Sequence, residues 1–281
     1  MITSPLVGKR YARVIDVGPG DAPAVLFLHG FAADASCWRP ASEALDRRRR
    51  VLAVDLPGHG EERAVTSTDC TSERAVERLA SIMEFLGVSQ TTLVGYSMGG
   101  RLALAFALAH PQRVDALVLV SASAGLQDPS LRASRVRDDE SLATMIETEG
   151  IEAFVESWQR LPLFGGLERG PAERRKAVRR MRLRCSPRGL AASLRGMGTG
   201  AQPYFGERLG ELQMPALLMA GARDRKFVET AEWMHERIAG SHLAVVENAG
   251  HVVHVEQPER FLQILLTFLD DEPARTQAGA A

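Results

Sequence analysis

This sequence has few cysteines and almost no net charge. Its 281 residues include only Cys37, Cys70 and Cys185, without C-x-x-C spacing, and the formal net charge at pH 7 is -1. Three scattered cysteines favour neither a disulfide framework nor a metal site, so we expect three structural thiols. A chain without a basic excess is not expected to bind nucleic acid or a membrane surface.

Long hydrophobic runs are also missing. The opening MITSPLVGKRYARVIDVG lacks the apolar core of a signal peptide, and no later run is long enough to span a bilayer. We therefore expect a cytoplasmic protein. We also expect a monomer or weak homo-oligomer. With 45% hydrophobic and 25% charged residues, the composition predicts one sizeable globular core.

Short aliphatic runs alternate with stretches of helical period. Runs that are apolar on both faces and end in turn residues predict buried parallel strands; they cover residues 24–30, 51–58, 91–97, 116–122, 216–222 and 243–250. Residues 71–87 repeat apolar side chains with the helical period, and Thr71 or Ser72 is in place to cap that helix. The alternation predicts an α/β fold, a mostly parallel central sheet flanked by helices, with ligands at the carboxyl ends of the strands.

One long segment interrupts this alternation. Residues 125–205 contain no strand-like run and read as helical and polar. A loop of that length is not expected to stay unstructured in a compact domain, so we expect a helical lid inserted into a core of residues 1–124 and 206–270. The small, polar residues 271–281 are predicted to be a disordered tail.

The segment VGYSMGGR surrounds Ser97 with glycines. Gly95-Tyr96-Ser97-Met98-Gly99 follows a predicted strand and precedes an apolar helix, which is the context of the G-x-S-x-G nucleophile turn. Gly95 and Gly99 are expected because a side chain at either position would collide with the neighbouring strand or helix. The turn would hold the Ser97 hydroxyl at a strand end, above the helix N-terminus.

A serine in this position needs a base and an orienting carboxylate. Asp224 and His251 each follow a later predicted strand, in the order that this fold requires. Taken alone, each is more typical of a turn or loop, but the order and placement together favour a Ser97, Asp224, His251 triad. His254 is the main alternative to His251 as the base. Asp55 and Glu247 also follow predicted strands, but they are less well placed than Asp224 for the orienting carboxylate. Asp55 is expected to clamp a loop instead.

Two backbone N–H groups are candidates for an oxyanion hole. Met98 follows the nucleophile, and Phe31 lies in the loop after the first predicted core strand. His29 is expected to support that loop by hydrogen bonding. For Arg101, one turn after Ser97, a surface position, an ion pair and a substrate contact all remain open.

The motifs HGF, DLPGHG, GYSMGG and AGH resemble the α/β-hydrolase superfamily along nearly the whole chain. More finely, GLQDPSLRASRVRDDE, FVESWQRLPLF, RLRCSPRGLAASLRGMGTGAQP and GARDRKF resemble the 2-succinyl-6-hydroxy-2,4-cyclohexadiene-1-carboxylate synthases, the MenH family of menaquinone biosynthesis. That resemblance implies a lyase without a cofactor or metal, which eliminates pyruvate from a substrate with three carboxylates. It implies a serine that acts as a base, without an acyl-enzyme.

The same resemblance implies the triad above and a set of substrate contacts. Those contacts are Tyr96, Arg101, Gln127, Arg135, Trp158, Arg182 and Lys226. The stretch RRMRLR also allows Arg180 or Arg184 in place of Arg182. Trp158 and Phe164 are equally expected as core residues of the lid.

The predicted lid carries a concentrated positive charge. From Arg169 to Arg195 ten Arg or Lys residues face one acid, Glu173, a local net charge of +9 that leaves -10 for the rest of the chain. This segment is either a solvated basic face, with Arg174 and Arg175 exposed, or a site for a small anionic, carboxylate-bearing substrate.

The triad does not distinguish among reactions. A serine carboxylesterase or C–C bond hydrolase is the alternative to the lyase, and a non-catalytic ligand-binding protein is a third.

Overall fold

The computed structural model describes residues 13–60 and 65–271, together with the backbone of residues 2–3, 6–7 and 10–11. Residues 272–281 of the predicted disordered tail lie outside these ranges, whereas Asp271 ends the last helix. No helix in the described ranges combines the length and hydropathy needed to cross a membrane.

Ten strands are described. They are β1 (Ile2–Thr3), β2 (Leu6–Val7), β3 (Arg10–Tyr11), β4 (Val14–Val17), β5 (Ala24–Leu28), β6 (Arg50–Val54), β7 (Thr91–Tyr96), β8 (Val114–Val120), β9 (Ala216–Gly221) and β10 (His242–Val246). Eight form one sheet in the order β1-β4-β6-β5-β7-β8-β9-β10, and β2 pairs with β3 separately. The neighbours from β6 to β10 are parallel, which confirms the mostly parallel sheet, and every predicted run overlaps one of these strands. The antiparallel strands β1 and β4 at one edge were not predicted.

The strands are apolar on both faces because the sheet has a core on each side. Leu26 and Leu28 of β5 pack into one cluster, whereas the alternating Val25 and Phe27 pack into the other. Since successive side chains of a strand point to opposite faces, a continuous apolar run fills both layers.

The helices that cover the sheet and extend beyond it are α1 (Arg39–Leu45), α2 (Ser72–Phe85), α3 (Met98–Ala109), α4 (Pro129–Gln159), α5 (Gly165–Glu168), α6 (Ala172–Leu183), α7 (Pro187–Met197), α8 (Arg225–His235), α9 (Val253–Glu256) and α10 (Pro258–Asp271). The predicted helix over 71–87 is confirmed as α2. Its cap is Thr71, whose side chain accepts a hydrogen bond from the Arg74 N–H at 3.3 Å.

In the described residues between β8 and β9 the regular elements are all helical, and α4 packs along α7. This segment has its own apolar core, which includes Ile146, Phe154 and Leu190 and also Ala32 from the loop after β5. The helical content agrees with the predicted lid, while its exact limits at 125 and 205 stay a prediction.

Helix α4 is two helical segments joined at Gly150. There the backbone has φ 87° and ψ 179°, a conformation that is in practice restricted to glycine. A Cβ atom added to Gly150 would meet only a carboxylate oxygen of Glu152, at 4.0 Å. The requirement for glycine is therefore one of torsion angle and not of space.

Candidate active site

Ser97 occupies the sharp turn between β7 and α3. Its backbone has φ 51° and ψ -109°, an uncommon region for a residue with a side chain. A Cβ atom at Gly95 would collide with the backbone of Gly99 and Gly100, and one at Gly99 would collide with the Leu28 carbonyl, as predicted. Tyr96 and Met98 on either side are buried, while Ser97 itself is partly accessible. The turn therefore presents the hydroxyl at the carboxyl end of the sheet.

His251 connects Ser97 to Asp224. The Ser97 Oγ lies 3.1 Å from Nε2 of His251, and the Nδ1 of His251 lies 2.6 Å from Oδ2 of Asp224. With Asp224 ionised, Nδ1 carries the proton and Nε2 accepts from the serine hydroxyl. This is the hydrogen-bonded arrangement that a serine needs to lose its proton to a histidine.

The other residues that the sequence offered as base or carboxylate lie in different environments. His254 is buried and stacks on Trp38 at 4.3 Å, and burial, with a smaller effect of the nearby His251, lowers its pKa to about 3. Asp55 accepts a hydrogen bond from the Ala35 N–H at 2.8 Å, as expected of a loop clamp. Glu247 is exposed after β10.

The loop after β5 is held in place by buried polar groups. His29 donates from Nδ1 to the Gly30 carbonyl at 2.8 Å and accepts at Nε2 from the Leu56 N–H at 3.0 Å, so the expected support by His29 is confirmed. Burial lowers the pKa of His29, although Asp55 opposes the shift, and a neutral ring suits one donor and one acceptor nitrogen.

The two predicted oxyanion donors lie on adjoining elements. Met98 is the first residue of α3, where a helix leaves its N–H groups without intrahelical partners. Phe31 lies between Gly30 and Ala32, whose φ is 56°. The predicted oxyanion role of these N–H groups stays a prediction.

Aromatic side chains form a wall beside the triad. Phe164 lies 6.4 Å from the His251 ring and 5.7 Å from Trp158, which in turn lies 5.4 Å from Phe31. Phe227 packs on His251 at 4.6 Å. Phe227 was missed in the sequence, where its only signal is its place beside Lys226, just after Asp224. The wall brings helical residues of the 125–205 segment close to the His251 ring.

Arg182 is a buried cation against this wall. Its residue is only 5% exposed, and its guanidinium carbon lies 4.4 Å from the centre of the Phe164 ring. In the described part of the chain no carboxylate forms an ion pair with it. Burial lowers the pKa of Arg182, and Tyr96 partly opposes that shift. Of the three arginines that the sequence left open, Arg182 is thus the one beside the triad.

The other two arginines point elsewhere. Arg180 is exposed. Arg184 forms an ion pair at 2.7 Å with Asp34, a residue 2% exposed in the loop after β5. Asp34 also accepts from the Ser36 N–H at 2.9 Å, so it anchors the loop that carries Phe31.

Arg101 and Arg135 form a second cationic cluster. The Nε of Arg101 donates to the side-chain oxygen of Gln202, and its Nη2 donates to the Met197 carbonyl at 2.8 Å. Burial, followed by the charge of Arg135, lowers the pKa of Arg101 to about 10, and Asp139 partly opposes that shift. Arg135 pairs with Asp139 at 2.9 Å and is 42% exposed. The Arg101 contacts join α3 to the end of the inserted segment.

Two predicted substrate contacts lie further out. Lys226 is exposed, with Nζ 5.8 Å from the Phe227 ring. Gln127 is exposed in the loop before α4, and no hydrogen bond in the described ranges joins it to the other candidates. Both assignments stay predictions.

Much of the positive charge of the segment is used within the protein. Arg195 joins α7 to Glu140 and Glu147 of α4 at 2.8 and 2.9 Å. Arg174 and Arg175, expected to be exposed, are half-buried and donate to backbone carbonyls, so that expectation was wrong. Their long side chains reach carbonyls at the C-terminal end of α9 and at and just after the end of α5, which a charge count does not reveal.

Known proteins resemble this chain over most of its length. The model of the alpha/beta hydrolase fold family matches residues 23–258. The chain is 42% identical over 263 residues to the putative 2-succinyl-6-hydroxy-2,4-cyclohexadiene-1-carboxylate synthase of Bacillus subtilis (strain 168), covering 93% of this chain and 95% of that protein. To the 2-succinyl-6-hydroxy-2,4-cyclohexadiene-1-carboxylate synthase of Serratia proteamaculans (strain 568) it is 30% identical, over 92% of this chain and 97% of that protein. The solved structure of MenH from S. aureus matches with a TM-score of 0.89 and 33% identity, over 93% of this chain and 98% of that chain.

Proposed function

Because the chain belongs to the α/β-hydrolase fold family and, within it, to the 2-succinyl-6-hydroxy-2,4-cyclohexadiene-1-carboxylate synthases, we propose that it is a lyase of menaquinone biosynthesis. Its substrate would be 2-succinyl-5-enolpyruvyl-6-hydroxy-3-cyclohexene-1-carboxylate. The reaction removes a ring proton and expels the enolpyruvyl group as pyruvate, which leaves a conjugated diene in the ring.

The observation that carries this proposal is the buried Arg182, which has no carboxylate partner among the residues that the structure describes. A buried charge without an opposite charge costs folding free energy, so an anionic ligand is a physical reason to keep it. An Arg fork binds a carboxylate bidentately, and this substrate has three carboxylates. Arg101 and Arg135 supply a second cationic cluster for another carboxylate.

The triad can act as a base in this reaction. Ser97 gives its proton to His251 across the 3.1 Å hydrogen bond, and Asp224 stabilises the imidazolium that forms. The serine alkoxide then removes the ring proton. The N–H groups of Phe31 and Met98 would stabilise the enolate-like charge, and the proton on His251 is available to the departing oxygen.

The aromatic side chains would complete the site. Trp158 and Tyr96 offer apolar surface to the ring, and Lys226 and Gln127 would contact its substituents from the rim. The cytoplasmic location and the monomeric or weakly oligomeric state remain predictions.

The first test of the proposal is Ser97→Ala, with pyruvate release as the assay. We expect turnover to fall by about a thousandfold or more, since triad members act as a unit. Ser121→Ala is the matched control, because Ser121 directly follows the neighbouring strand β8 and has a similar φ of 47°. Near-normal turnover by Ser97→Ala would overturn the mechanism.

A second test separates the lyase from a serine hydrolase. A base mechanism leaves Ser97 unmodified, whereas an esterase or C–C bond hydrolase forms an acyl-enzyme. Intact-mass spectrometry during turnover of the enolpyruvyl substrate should show only the unmodified chain. An adduct on Ser97, or ester hydrolysis without pyruvate release, would favour the hydrolase. Absence of both pyruvate release and ester hydrolysis would favour a binding protein.

A further inference from the structure

Glu256 accepts hydrogen bonds from the backbone on both sides of His251. Its Oε2 accepts from the Gly250 N–H at 2.6 Å, and its Oε1 accepts from the Val252 N–H at 3.0 Å. Glu256 is the last residue of α9 and is 8% exposed. One buried carboxylate therefore fixes the residues immediately before and after His251.

These backbone hydrogen bonds complement the hydrogen bond between Asp224 and the His251 ring. Asp224 holds the ring through Nδ1, but a single hydrogen bond leaves the ring free to move with its own backbone. The two Glu256 bonds fix that backbone at the end of the loop after β10. Together the two carboxylates determine where Nε2 lies relative to Ser97.

The inserted helical segment rests on the same residue. A Cβ atom built on Gly166 of α5 would collide with the Glu256 carboxylate. Arg174 of α6 donates to the Glu256 carbonyl at 3.1 Å. The closeness of Gly166 makes the carboxylate sensitive to small changes in α5, whereas a Cβ atom on the adjacent Gly165 would meet nothing within 4 Å.

We infer that Glu256 is a positioning residue for catalysis, whose carboxylate sets the position of His251 and is itself held against α5. The inference depends on the proposed function only for the choice of substrate.

The first experiment compares Glu256→Gln with Glu247→Gln. A glutamine offers one acceptor oxygen and turns an NH2 group toward the other N–H, so one of the two hydrogen bonds is lost. We expect kcat to fall by about 10- to 100-fold, because a small displacement of a catalytic group has effects of that size. KM should change by less than about twofold, since Glu256 is not placed to touch substrate. Glu247, exposed in the same loop, should tolerate the change.

The second pair of variants keeps Glu256, and one of them places a methyl group against its carboxylate. Gly166→Ala should lower kcat in the same way, whereas Gly165→Ala should not. Modification of Ser97 by a fluorophosphonate, followed by intact mass, gives a readout that needs no lyase substrate. Its rate should fall with kcat in both Glu256→Gln and Gly166→Ala.

These readouts keep the two proposals apart. Absence of pyruvate release by the unmodified protein would overturn the proposed function, and the modification rates would still test Glu256. Normal kcat and normal Ser97 modification in folded Glu256→Gln and Gly166→Ala would overturn the positioning role. A rise in KM at constant kcat would also overturn it.

Discussion

Replacing Arg182 by Met should change stability and catalysis in opposite directions. In the free protein this guanidinium is buried, and the Phe164 ring offsets its burial by about 0.5–2 kcal/mol. Replacing buried charged groups with apolar residues of similar volume is often neutral or stabilising by about 1–4 kcal/mol. Since about 1 kcal/mol shifts the Tm of a larger domain by about 2–4 °C, we expect Arg182→Met to raise Tm by about 2 °C or more.

Catalysis should fall in the same variant. If Arg182 binds a substrate carboxylate, the lost charge-assisted hydrogen bonds are worth about 1.5–3 kcal/mol, which corresponds to about 10- to 150-fold in kcat/KM. Arg182→Lys should recover only part of this loss, because an ammonium group lacks the planar fork.

Thermal unfolding and the rate of pyruvate release measure both effects on the same samples. Arg180→Met is the control, because Arg180 lies exposed on the same helix and should affect neither quantity strongly. A lower Tm together with unchanged kcat/KM would show that Arg182 is a structural cation, and the substrate-binding argument would be refuted.

Two further predictions concern charged and titrating groups. Arg184→Gln removes a hydrogen-bonded cation from the buried Asp34 and should lower the free energy of unfolding by about 1–2 kcal/mol, because solvent around the partly exposed Arg184 weakens the pair. Urea unfolding with Arg180→Gln as the control checks this, and equal effects of the two substitutions would contradict it. His254, like His59, has a pKa lowered to about 3 chiefly by burial, so the folded protein binds fewer protons than the unfolded chain, whose histidines titrate near 6.5. The free energy of unfolding should therefore fall as the pH drops from about 6.5 toward 3. In urea unfolding, His254→Phe should reduce this pH slope by about 1.4 kcal/mol per pH unit. An unchanged slope would contradict the lowered pKa of His254.

The sequence was sufficient to predict the parallel strands and the turn at Ser97. Strands such as β7 are buried on both faces, so their apolar runs are continuous and easy to recognise. Strand β4 was missed because it has only four residues, mostly half-buried, which leave little pattern. The order of Ser97, Asp224 and His251 could be predicted because each follows its own strand.

Contacts between distant segments could not be predicted in the same way. Arg180 of α6 and Arg184, which caps the end of that helix, are four residues apart and share one face, whereas Arg182 lies on another. Periodicity alone does not say which face meets the triad. The role of Glu256 depends on how the chain folds back after His251. The pairing of Arg184 with Asp34 joins residues that are 150 positions apart, so no local pattern contains it.

The kink at Gly150 has a consequence for mutational tolerance. Its neighbours Glu149 and Glu152 are exposed, and surface positions of this kind usually accept many amino acids. Gly150 should accept none easily, because a backbone with φ 87° and ψ 179° penalises any Cβ atom even where there is room for it. A map of tolerated substitutions along α4 should therefore contain one isolated intolerant position that belongs to neither the apolar core nor the triad.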